Sequence, residues 1–127
     1  MRYLLRIALA VLIVAPVAAR QTAATQSKNV PTMAGILLKL NHFASDADKT
    51  TLKAIVDDKA ATAPEKTIAQ ALLNVQHKVS DADKPKLEAL VKDTATPESI
   101  KTMAQVILNL NHTPSAAEKD TLKKIAG

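Results

Sequence analysis

Apolar residues recur along the chain in two alternating helical patterns. After Thr67, the residues Ile68, Ala71, Leu72, Val75 and Val79 fall at i, i+3, i+4, i+7 and i+11, the spacing of one helix face. Met33, Ile36, Leu37 and Leu40 repeat that spacing earlier, and Met103, Val106, Ile107 and Leu110 repeat it later. Leu38, Leu73 and Leu108 widen each stripe, which predicts a helix buried on more than one side. A narrower stripe follows each of them, Leu52/Ile55/Val56, Leu87/Leu90/Val91 and Leu122/Ile125, and predicts a second helix lying outside the first.

The two patterns repeat in register. His42, His77 and His112 are 35 residues apart, and Thr32/Thr67/Thr102, Ala34/Ala69/Ala104, Ser45/Ser80/Ser115 and Lys49/Lys84/Lys119 keep the same period. A fixed period of this size marks stacked supersecondary units. The expected fold is all-α: three tandem 35-residue helix-turn-helix repeats, six helices in all, over about 29–61, 62–95 and 96–127, forming a short α-solenoid or a compact helical bundle.

Helix starts are written into the polar residues. Ser45-Asp46-Ala47-Asp48, Ser80-Asp81-Ala82-Asp83 and Ser115-Ala116-Ala117-Glu118 resemble capping boxes, in which Ser accepts the N3 amide and the acid reaches back to the cap. Ser45, Ser80 and Ser115 are the expected caps, with Glu118 the best partner because Asp is a shorter arm. Thr62-Ala63-Pro64-Glu65 and Thr96-Pro97-Glu98 put Thr at a cap and Pro in the first turn, and Asn29-Val30-Pro31 does the same for the first unit. Pro85 fits poorly as a fifth helical residue, which favours a later start, near Asp83, for the fourth helix.

The first residues read as an export signal. Arg2 and Arg6 precede an uncharged run from Ile7 to Ala19, closed by Val17-Ala18-Ala19. That run is 13 residues long, short of the roughly 20 needed to span a bilayer, so 1–19 is expected to be a cleaved signal peptide with no stable membrane insertion afterwards. A polar leader, 20–28, then precedes the helical domain, 29–127, and the destination is periplasmic or secreted. Beyond residue 19 there are 15 basic and 12 acidic side chains, interspersed along the helices, and this mild charge argues against a nucleic-acid footprint. With no cysteine in the chain, no disulfide contributes to stability.

The period approaches that of tetratricopeptide and pentatricopeptide units, but the aromatic and glycine positions of the tetratricopeptide pattern are absent, and Sel1-like repeats also need glycines. Catalytic signatures are lacking too. Gly35 and Gly127 are the only glycines, which excludes a Gly-rich phosphate loop, and no serine has the flanking glycines of a nucleophile elbow. Asp46-x-Asp48 and Asp81-x-Asp83 lack the glycine and bidentate Glu of a calcium loop. Phe43 alone cannot form a stacking platform for single-stranded nucleic acid or sugars.

The three histidines are the remaining candidates for chemistry. In a stack, equivalent positions are separated by about 8–10 Å, the helix packing distance, and a shared metal then requires the units to close around a pseudo-threefold axis. Stacking is the expected arrangement, so each imidazole is read as a turn residue bonding the last carbonyls of its helix. His42, His77 and His112 are secondary candidates as metal ligands, and no cofactor is expected. The functional expectation is a non-catalytic, exported protein-interaction or structural module. It binds a protein partner or itself through an uncovered first helix bearing Met33, Ile36, Leu37 and Leu40. The alternatives are a metal- or small-ligand-binding protein using the histidines, or a holdase-like chaperone.

Overall fold

The structure is a computed structural model describing residues 27–127. The expected signal peptide and most of the polar leader lie outside the described residues. Six helices follow in order: α1 (Asn29–Lys39), α2 (Asp46–Asp57), α3 (Ala63–Asn74), α4 (Lys84–Lys92), α5 (Glu98–Asn109) and α6 (Ala116–Ala126). There is no strand among the described residues, and none of the described helices is long and apolar enough to cross a membrane.

The chain forms a compact helical bundle rather than an open stack. The main pairs are α2 with α3, α4 with α5, and α6 with α1, so the second helix of each unit packs on the first helix of the next, and the last unit returns to the first. The inner helices α1, α3 and α5 also touch one another pairwise. The three units therefore close a ring around a pseudo-threefold axis.

The wide apolar stripes explain this arrangement. Met33, Ile68 and Met103 are fully buried, as are Leu37, Leu72 and Ile107, and Ala34, Ala69 and Ala104. Each inner helix has two inner neighbours and an outer one, which accounts for burial on more than one side. On the outer helices the narrower stripe suffices: Leu52, Leu87 and Leu122 are fully buried, while Val56, Leu90, Val91 and Ile125 are partly so.

Closure overturns one sequence-based expectation. Met33, Ile36, Leu37 and Leu40 do not form an uncovered face, because α6 packs on α1 and leaves them at most 4% exposed. The first helix has a neighbour after all, and it is the last one in the chain.

The helix starts differ in detail. Ser45 Oγ accepts from the Asp48 amide at 3.2 Å, and the Asp48 carboxylate is reached by the Ser45 hydroxyl at 2.8 Å instead of by the cap backbone. With the longer Glu118 the reciprocal pair forms: Ser115 N–H donates to Oε2 at 2.8 Å, and Glu118 N–H donates to Ser115 Oγ at 3.3 Å. Thr62 and Glu65 make the same box on α3. In the fourth helix Asp83 is the cap, Lys84 begins the helix, and Pro85 sits in its first turn. Thr96 does not cap α5; Pro97 occupies that place, and the buried Thr96 hydroxyl donates to Asp93 Oδ2 at 3.1 Å.

Candidate metal centre

Each inner helix ends the same way. Leu40, Val75 and Leu110 leave the helix with φ near −60° and ψ between 125° and 127°, and their side chains are buried at one end of the core. One residue on each side of the histidine is exposed, and the next, Ala44, Val79 or Pro114, is buried again. Every unit thus contributes a short arch, anchored at both feet in the core, with a histidine at its crest.

The crests are strained and joined. His42, His77 and His112 have φ of 68°, 66° and 67°, a region where residues other than glycine are uncommon. In two of the three arches the amide after the histidine bonds the carbonyl before it, Phe43 to Asn41 and Thr113 to Asn111, each at 2.8 Å. A three-residue turn with positive φ is the rare, strained form of the γ-turn. Between units, His42 N–H donates to the His112 carbonyl at 2.9 Å, His77 N–H to that of His42 at 2.7 Å, and His112 N–H to that of His77 at 2.7 Å. The backbones of three histidines close a ring of three hydrogen bonds around the axis.

Above that ring the imidazoles converge. Their centroids are 4.9, 4.9 and 5.1 Å apart. His77 Nδ1 lies 3.1 Å from His112 Nδ1, which lies 3.2 Å from His42 Nδ1, and all three residues offer ligand atoms within 4.8 Å of one another. His42 is half-buried, whereas His77 and His112 are exposed. The expected capping role is not what the side chains do. Their ring nitrogens meet each other rather than the last helix carbonyls, because closure brings together positions that stacking keeps apart.

This geometry suits a cation. Each neutral Nδ1 has either one proton or one lone pair, so the central His112 nitrogen cannot give both neighbours a separate, well-directed hydrogen bond. A metal ion on the axis would accept the lone pairs of all three rings at once. At Zn–N distances of about 2.0–2.1 Å, tetrahedral ligation separates nitrogens by about 3.3–3.4 Å and an octahedral face by about 2.9 Å. The 3.1 and 3.2 Å edges at His112 fall between these values, and the ligand atoms of His42 and His77 lie within 4.8 Å of each other.

The arches are braced from behind. In units two and three the acid of each Ser box is held by an amide at the end of the inner helix: Asn74 Nδ2 donates to Asp83 Oδ2 at 2.9 Å, and Asn109 Nδ2 to Glu118 Oε1 at 3.2 Å. In unit one Lys39 Nζ takes that place, 3.6 Å from Asp48. Beside the crest, the exposed Phe43 has the Lys49 ammonium 5.4 Å above its ring, and a shallow groove runs from there to Gln76 and His77. In the other units Phe43 is replaced by Lys78 and Thr113.

The braces respond to acid. Burial pushes the Asp83 carboxyl up, but hydrogen bonds from Ser80 at 2.6 Å and from Asn74, with the Lys86 ammonium at 3.6 Å, outweigh it and hold the group below the usual carboxylate range. Glu118 behaves likewise: burial raises it, but bonds from the Ser115 amide and hydroxyl and from Asn109 outweigh that and hold it below its ordinary value. A carboxyl depressed in the folded state stabilises the fold above its unfolded value of about 4, and that contribution disappears as pH falls through the folded value. Melting temperature should therefore fall from pH 5 towards pH 3. Asp83→Asn should flatten that limb while costing about 1–2 kcal/mol at neutral pH. An unchanged acid slope in this variant would show that Asp83 is not a source of it.

The chain matches no protein-family model, no curated protein and no solved structure.

Proposed function

We propose that this protein is a metal-binding module whose three histidines hold one late first-row divalent ion, such as Zn2+ or Cu2+, on the axis of the bundle. The observation that carries this reading is the convergence of one ring nitrogen from each of His42, His77 and His112, one from each repeat, within 4.8 Å of one another. Imidazole nitrogen is a preferred donor for these ions. The positive φ adds an independent argument. Glycine adopts such a turn at no steric cost, yet all three positions carry imidazole, and strain retained at a convergent cluster points to a use for the side chain. The protein-binding surface expected on α1 is covered by α6, which leaves that reading without the surface that motivated it. An export signal at 1–19 would place the site in the periplasm or outside the cell.

Titration with Zn2+ or Cu2+ tests the proposal. One equivalent should bind per chain. At a free concentration of 100 Kd the folded state gains about 2.7 kcal/mol, which raises the melting temperature of a domain of about 100 residues by about 10 °C or more. His77→Ala should remove the effect, and a falling pH should weaken it because protons compete for the ligating nitrogens. An equal shift in His77→Ala, or none in the parent protein, would refute the site.

A further inference from the structure

Resting on that reading, we infer that the bound ion keeps one coordination position open to solvent, and that this position accepts a small monodentate anion. The donor set is the first reason. Three imidazoles form the cluster, and among the described residues no carboxylate or thiolate joins them. A set of three histidines with a free fourth position distinguishes zinc sites that bind an exogenous ligand from closed structural ones.

The ring beneath supplies the second reason. The amide and carbonyl of each histidine are engaged with those of its neighbours, so the backbone at the axis is committed to its own hydrogen bonds. The flanking Asn41, Gln76 and Asn111 offer only amide oxygens, donors better suited to harder ions. The free position therefore faces the side on which His77 and His112 are exposed.

Charge supplies the third. Three neutral imidazoles leave the full double charge on the ion. The acids of the three Ser boxes are already engaged, Asp48 with Ser45 and Lys39, Asp83 with Ser80 and Asn74, and Glu118 with Ser115 and Asn109. Lys78 follows His77 directly, and Lys49 lies over Phe43 at the rim. An incoming anion meets a cationic centre with no competing carboxylate.

Cobalt and azide make the test. Co2+ added to the full chain should give a bound visible spectrum saturating at one equivalent and absent from His112→Ala. Azide should then shift that spectrum saturably. A Co2+ spectrum that depends on His112 but does not move with azide would overturn the open position and leave the metal site standing. No bound spectrum, or one that persists in His112→Ala, would overturn the three-histidine reading itself.

Discussion

Leu122→Ala should cost the fold about 2–5 kcal/mol, the range for emptying a buried leucine site, and should do more damage than the same change at Leu52 or Leu87. All three side chains are fully buried at equivalent positions, so the cavities they leave are alike. What differs is the connection behind them. Leu52 lies on α2, and the short segment 58–62 leads directly to its partner α3; Leu87 lies on α4, and 93–97 leads to α5. Leu122 lies on α6, whose partner α1 is at the other end of the domain. When α6 loosens, no short loop keeps it near, and Met33, Ile36 and Leu37 lose their cover. Small domains have about 5–15 kcal/mol in total, so this one change removes a large share. Urea denaturation of the three alanine variants with amide exchange across 116–126 provides the measurement. A Leu122→Ala protein within about 0.5 kcal/mol of the parent, well below the usual range for such a change, would show that closure is not needed for stability.

Replacing all three histidines with glycine should make the ion-free protein more stable. A residue other than glycine held in such a strained backbone region costs about 1–3 kcal/mol, and glycine returns about 0.4–1 kcal/mol of that through the greater freedom of its unfolded chain. The net gain is about 1 kcal/mol per site, or about 3 kcal/mol for the triple variant. The triple alanine variant removes the same imidazoles but keeps the positive φ, and should be less stable than the glycine one. Denaturation in the presence of a chelator compares them. A marked loss of stability in the glycine variant would mean that the imidazoles hold the arches together by packing, and the case for a chemical role would weaken accordingly.

Much of the fold was legible in the sequence. The i, i+3, i+4 spacing located six helices, the 35-residue register made them three units, and the Ser boxes marked where α2 and α6 begin, while α4 starts at Lys84, four residues after its expected cap Ser80. The N-terminus of α5 was harder, because Thr96 has two outlets for its hydroxyl and Asp93 took it. Closure was not legible, since a period states that neighbouring units are related but not by what rotation. That rotation comes from how side chains interlock between α2 and α3 or α4 and α5, and it settles whether the sixth helix meets the first. A hint was nevertheless present. The apolar stripes of α1 and of α6 were each left without a sequential neighbour, and each can cover the other. The histidines carried a second hint: the turn after each inner helix held the same imidazole-bearing residue in every unit.

The peptide ring and its imidazoles give a cysteine-free chain the means for a different kind of staple. The ligands are separated by 35 and 70 residues, and each arrives from a different repeat. An ion held by all three pins the chain at three points, as two nested cross-links would, and removes conformational freedom from any state in which the repeats have parted but the ligands stay bound. With Zn2+ as the ion, which has no redox chemistry, this fastening would, unlike a disulfide, be indifferent to the redox poise of its surroundings and would respond instead to metal supply and to pH.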